Sequence, residues 1–432
     1  MFISREIRGF RTWRRVRASL PALALFPWLT ACTPELEPVS EHYFRIEVGE
    51  DGIPEATTSA VPLYPDTLLR FVEEVRLEQD ENRPESLLYQ AYQYRRGPDG
   101  RYHVLDRGNG RIAVFGSGGE FIRQFGRRGS GPGEFQNPLL VGFGESSLLI
   151  FDSQLRRTTR FALSGEVLAI VTCPASGGRI QEMIPLPDDR LVLKTYHYER
   201  APDSSMHDWY TVTVVDADGD TLSIVPSRRT YRPPPFPVEG GAMVRVAQYY
   251  GAMGQASYVP GRGILVVHGS EPVIRWFDLT GRPIRRIRLD RPLQPVTETD
   301  REAVFTWLRR RLTEAVNDDE RRTIQAMMEH PDFAETKPFY GTVVVDDYGY
   351  HWVSPPLDYL DMIPYRPRRV WLLSPEGEYL GDVMLPGGAV SHSGLFLCTV
   401  TEDEQSGEPR YIVYRLESAV PGFVYPPPVP NL

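Results

Sequence analysis

The chain has 432 residues, 41% hydrophobic and 24% charged, which is apolar material enough for a large core and excludes a disordered polymer. Its formal net charge is −9; without residues 1–31, which hold six arginines and one glutamate, 42 basic residues face 56 acidic ones and the charge becomes −14. So acidic a body is a poor partner for nucleic acid, and since only Lys194 and Lys337 are lysines, the many arginines reflect a compositional bias rather than phosphate recognition.

The first element in chain order is a leader. Arg5, Arg8, Arg11, Arg14, Arg15 and Arg17 form a basic start, followed by an apolar run over residues 18–31 that is too short, and too broken by Pro21 and Pro27, to span a bilayer. The run ends in Leu29, Thr30, Ala31 and Cys32, which resembles the lipobox of a bacterial lipoprotein signal. Small residues before the cut fit a protease groove, and a thiol is required to take the diacylglyceryl thioether. The resemblance implies removal of residues 1–31, attachment to a membrane through lipidated Cys32, and a place in the cell envelope on the periplasmic or cell-surface side. Residues 32–67 then read as a tether and N-terminal extension.

A repeated turn comes next. From Asp106 to Phe135 the sequence reads DRGNGRIAVFGSGGEFIRQFGRRGSGPGEF, which predicts short strands over residues 112–115 and 121–125 with a glycine turn between them. An apolar residue followed four positions later by glycine recurs as Phe115 to Gly119, Phe161 to Gly165, Val215 to Gly219, Phe277 to Gly281 and Leu373 to Gly377. The copies lie 46, 54, 62 and 96 residues apart, the length of a four-stranded propeller blade plus growing insertions. Second strands are predicted over residues 102–106, 147–152, 191–195, 264–268 and 350–354, and a sixth blade, starting at Ala389, lacks an outer strand. A strand over residues 70–77 is left over before blade one, and it is expected to complete the last blade, closing the ring and removing an open edge.

Residues 297–330 break the pattern and predict a helical hairpin between blades four and five, the first helix starting at Thr299 with Glu302 three residues on, the second opening at Asn317 and Asp318. The expected architecture is all-β: a six-bladed β-propeller over residues 68–418 carrying this hairpin, then a proline-rich tail over residues 419–432. Cys173 and Cys398 fall in non-adjacent blades and are expected as free thiols.

With these repeats the chain resembles the bacterial six-bladed β-propeller lipoproteins, relatives of the NHL-repeat family. The resemblance is carried by Asp106, Arg107, Gly108, Asn109, Gly110, Arg111 and Ile112, by Val114, Phe115, Gly119, Phe125 and Gly126, and by the exit GSGPGEF over residues 129–135; later blades keep mainly the turn glycine. It implies that the aspartate and asparagine bracket the turn between second and third strands, and it implies a fold and an envelope location without an activity. In a propeller the first-to-second and third-to-fourth strand turns share one face, and all remaining connections lie on the other. The five glycine turns belong to the first class. The long excursions, over residues 197–208, 226–254, 291–338, 355–368 and 401–409, all belong to the second, so a binding site is expected on that face near the mouth of the central channel.

The glycine run over residues 126–133 lacks the GxxxxGK[ST] spacing and the strand-to-helix context of a phosphate loop and reads as a blade exit. No G-x-S-x-G, H-E-x-x-H or paired C-x-x-C occurs. The densest group of potential ligand-contacting side chains is His197, Tyr198, His207 and Trp209 on the blade-three excursion, suited to meeting a sugar or peptide ring but matching no metal-ligand spacing. Trp307 on the first helix and Tyr359 on the blade-five excursion extend this candidate face, although Trp307, Met327 and Met328 equally suit packing between the helices. Asp346, Asp347 and His351 could line the channel, but Asp347, Tyr348 and Gly349 read better as an ordinary turn between first and second strands. The functional reading is a binding or scaffold protein for a peptide, glycan or envelope-protein partner, with no catalytic residue, metal or cofactor assigned. The alternative is a metal-dependent hydrolase or lyase, lactonase-like, with a divalent cation in the channel, which needs several acidic, asparagine or histidine side chains converging there.

Overall fold

The computed structural model of the protein describes residues 41–144, 146–173, 178–186, 188–237, 243–245, 248–359, 367–387, 389–393, 396–402 and 409–427, with backbone alone at residue 92 and over 389–402. Leu29, Thr30, Ala31 and Cys32, the end of the proline-rich tail and the side chain of Cys398 lie outside the described residues. Cys173 is a free, buried thiol.

Six four-stranded antiparallel blades follow one another along the chain. Blade one shows why these residues make this unit. Its second and third strands, Tyr102–Asp106 and Arg111–Phe115, are buried along their whole length because a neighbouring blade covers each face of the sheet. The core is therefore distributed between blades: Leu105, Ile112 and Val114 of blade one pack against Leu140, Leu148 and Ile150 of blade two.

Each of the five repeated glycines has φ between 81° and 104°, and each N–H donates to the carbonyl three residues back at 2.8–3.1 Å. Three of them have a second role. A Cβ on Gly119 would stand 2.1 Å from the Arg76 carbonyl oxygen, one on Gly165 2.8 Å from the Phe125 side chain, and one on Gly377 2.7 Å from Ile287. Arg76, Phe125 and Ile287 all lie on the outer strand of the preceding blade, so the turn of one blade nests against the edge of the last.

For blade one that preceding outer strand is the N-terminal strand Leu69–Arg76, which pairs antiparallel with Pro409–Ser418 from Leu69 opposite Ser418 to Arg76 opposite Ile412. The ring closes as expected from the sequence, one residue earlier than predicted.

The helical hairpin is present, with one shift. The first helix, α1, is Glu298–Glu314 and starts two residues before the predicted point: Thr297 is the cap, donating N–H and hydroxyl to the Asp300 carboxylate while its hydroxyl accepts the Asp300 N–H. Aspartate at the third position serves as glutamate would. The second helix, α2, is Asp318–Glu329, capped by Asn317.

The N-terminal extension is more than a tether. Phe44–Val48 and Pro54–Ser59 form a hairpin, and Pro54–Ser59 adds in parallel to Pro283–Asp290, making the blade-four sheet six-stranded. The chain then runs beside the outer strand of blade five, where the N–H groups of Leu63, Tyr64 and Leu68 donate to the carbonyls of Tyr379, Leu380 and Asp382, before entering blade six. Residues 54–76 thus form a belt across the rims of three blades. The described start of the proline-rich tail is also docked, with Phe423 and Tyr425 buried beside Leu68 and Trp352.

Candidate functional site

The blade-three excursion is not a loop. Its second and third strands, Leu191–Arg200 and Met206–Val215, stay in register through ten pairs, and Thr230–Arg232 adds to the projecting part. The alternation of Tyr196, Tyr198 and Arg200 with His197 and Glu199 continues the strand period, and Ser204, with φ of 66°, turns the chain at the tip.

On one face of this ladder His197 stacks on Trp209 at 5.3 Å and bonds the Thr211 hydroxyl at 2.9 Å. The Arg229 guanidinium covers Trp209 at 4.5 Å and pairs with Glu199 at 2.6 Å, and His207 meets Tyr231 at 5.7 Å. On the other face Asp208 is buried, accepting the Tyr196 hydroxyl at 3.0 Å and pairing with Arg232, while Tyr198 is exposed. Trp307 and Tyr359 belong to a different cluster: they meet edge to face at 5.4 Å, and Tyr359 is buried against Tyr249 and Tyr250, its hydroxyl pushed up to about 12 by burial. Met327 and Met328 pack in that same cluster. Of the six predicted contact residues, four line the projecting ladder and two are core of the helical insertion.

His351 does not reach the channel. It is fully buried between blades four and five, accepting Trp276 Nε1 at 3.3 Å and donating from Nδ1 to the Ser374 carbonyl at 3.1 Å, and burial with help from Arg285 pushes it down to about 3. The turn over residues 347–349 is present, and Asp346 serves it, its carboxylate accepting from the Tyr348 and Tyr350 amides, Trp352 Nε1 and the Tyr425 hydroxyl. The glycine run after Gly126 is filled by its own anion: the Glu134 carboxylate takes the Gly131 amide at 2.8 Å and Arg127 at 2.6 Å.

A cavity of about 410 Å³ opens among residues of blades one to three, beside their turns on the elaborated face. Arg107 reaches it from the turn between second and third strands of blade one, braced by donating from Nη2 to Asn137 Oδ1 at 2.6 Å. Arg179 and Glu182 come from the inner strand of blade three, Arg179–Pro185, whose register shifts between Ile180 and Glu182. That bulge re-aims the following side chains, a common device beside sites. Lys194 stands directly opposite Glu182 on the next strand, its Nζ 5.2 Å from the Tyr210 ring centre and 3.3 Å from the Ser257 hydroxyl. Burial holds the Lys194 amine below the usual lysine range against the pull of Glu182, and burial raises the Glu182 carboxyl despite Lys194 and Arg95. Lys194 has no distinctive sequence neighbourhood; its rarity as one of two lysines was the available signal. Among the described residues no group of three or more His, Cys, Asp or Glu side chains converges as a metal site.

The geometry defines a six-bladed propeller with a cationic cavity on its elaborated face. Residues 85–226, which span blades one to three, match the model of the family DUF5128, described as a 6-bladed beta-propeller. Among solved structures the chain is similar to a Bacteroides fragilis protein described as exported, at 12% identity and a TM-score of 0.49, covering 84% of this chain and 100% of that one. It is similar to a duf4221 family member from Bacteroides vulgatus at 12% identity and a TM-score of 0.46, covering 82% and 99%. A virginiamycin B lyase from Staphylococcus aureus is 7% identical at a TM-score of 0.36, covering 80% and 98%. No curated protein matches the chain.

Proposed function

We propose that this protein is a lipid-anchored, extracytoplasmic propeller that binds a peptide, glycan or envelope-protein ligand at its elaborated face, with the six blades as a rigid mount. The observation that carries the reading is the coincidence of the cavity with the face that bears the blade-three ladder and the helical insertion. The leader and Cys32 supply the anchor in this reading. Two measurements test it. Cys32→Ala is expected to move the protein from the membrane to the soluble fraction, and continued anchoring defeats the lipid assignment. Hydrogen exchange of the purified protein with a soluble extract of its own envelope is expected to protect residues 196–210 and the amides around Arg107; protection elsewhere, or none, defeats the placement of the site.

A further inference from the structure

We infer that this cavity is a receptor for a small organic carboxylate, held by Lys194 and Arg179. The inference rests on the binding reading above and narrows it to a ligand chemistry.

The charge of the cavity is opposite to that of the body around it. Three cations and one carboxylate, Glu182, line it, in a chain whose formal charge is −9. A concave positive site in a negative protein concentrates anions from solution. The two lysines of the chain make a direct contrast. Lys337 is neutralised by Asp300 at 2.6 Å, whereas among the described residues no carboxylate comes within ion-pair distance of Lys194. An ammonium has three N–H donors. Lys194 spends one on a long bond to Ser257 and covers an aromatic face with its charge, which leaves donors directed at the cavity. Arg179 forms no ion pair among the described residues, and Arg107, braced by Asn137, adds its positive charge to the lining.

The site is shaped for an organic acid rather than a bare ion. Its volume, about 410 Å³, falls in the range of small-molecule pockets, and Pro138, Leu139 and the Tyr210 ring give it apolar wall. Glu182 opposes a second full negative charge but, when protonated, donates a hydrogen bond to a carboxylate, so a monoanionic carboxylate fits where a phosphate dianion is resisted.

Because the chain has only two lysines, acylation reads the site directly. The purified full chain is treated with limiting N-hydroxysuccinimidyl acetate, alone or with glucuronate, lactate or benzoate, and modification at Lys194 and Lys337 is followed by mass spectrometry. At least one carboxylate is expected to slow Lys194 saturably with Lys337 unchanged, while glucose, the uncharged relative of glucuronate, and inorganic phosphate do not. Arg179→Gln, at an exposed rim position that does not endanger folding, is expected to weaken that protection about tenfold, the effect of one charge-assisted hydrogen bond. No protection by any carboxylate, equal protection by glucose or phosphate, or an unaltered Arg179→Gln response each overturns the inference. If carboxylates fail while the envelope extract still protects residues 196–210, the charge assignment falls and the binding reading stands; if neither protects, both fall.

Discussion

In blade one the chain passes from second to third strand in four residues, 107–110, beneath Asp106, whose carboxylate accepts the Tyr89 amide, Asn109 Nδ2 and Arg111 Nε at 2.8–2.9 Å. In blade three the same strands run on for five further pairs, from Tyr196 opposite Tyr210 to Arg200 opposite Met206. Register locates the difference in one pair. Counting from the repeated glycine turn, Asp106 opposite Arg111 is the fifth pair of blade one and Asp152 opposite Arg157 holds the matching place in blade two, but blade three has Thr195 opposite Thr211. Where a buried aspartate gathers the turn amides, the blade ends; where two threonines stand, the ladder grows outwards and carries the aromatic face. The ring is thus built from locked turns, and its recognition surface from one place where the lock is missing.

The largest test of that contrast is Asp106→Ala. It strands Arg111 in a nearly buried site and is expected to lower stability by about 3–5 kcal/mol in urea melts, whereas Glu199→Ala, which breaks the exposed pair with Arg229 on the ladder, is expected to cost less than about 1 kcal/mol. Equal costs would erase the distinction between lock and ladder. On the opposite face Gly119→Ala is expected to cost about 3 kcal/mol, combining left-handed strain with displacement of the Arg76 carbonyl, and Gly281→Ala about 1 kcal/mol, because its Cβ meets Ser223 at an ordinary 3.5 Å. Thermal melts showing the reverse order would remove the nesting role of the turns. A pH slope inside the ring gives a third test. His351 is held at about 3 when folded, below its ordinary value near 6.5, so as pH falls the unfolded chain takes the proton first and stability declines from about pH 6.5 towards 3. The loss between pH 6.5 and 5 is expected to be about 2 kcal/mol, and His351→Gln is expected to flatten that part of the curve.

Much of the ring was legible because its signals are local. A glycine four residues after an apolar position marks a turn that needs positive φ, and it located five blades; the unpaired strand before blade one had a single vacancy to fill. The ladder was mistaken for a loop because Tyr196 to Arg200 and Met206 to Trp209 are polar and aromatic rather than aliphatic, although their alternation across the turn around Ser204 was there to be read. The belt was missed because Pro54–Ser59 carries no strand-like alternation of its own and borrows its order from the exposed edge of blade four. The cavity was out of reach for another reason: Arg107, Arg179 and Lys194 converge only through the curvature of the ring, which spacing along the chain does not encode.

The belt also sets the order in which the molecule can be finished. Residues 54–76 are synthesised before any blade, yet their partners lie in blades four to six: Thr58 meets Tyr379 across 321 residues and Arg70 meets Glu417 across 347. Pro54–Ser59 has no partner until blade four is made, and Leu69–Arg76 none until the final strand, so the closing contacts carry close to the greatest sequence separation the chain allows. Blades one to three have their mutual interfaces early, so they can condense while the rim waits. Closure of the ring by Leu69–Arg76 therefore has to wait for Pro409–Ser418, the last strand of the chain.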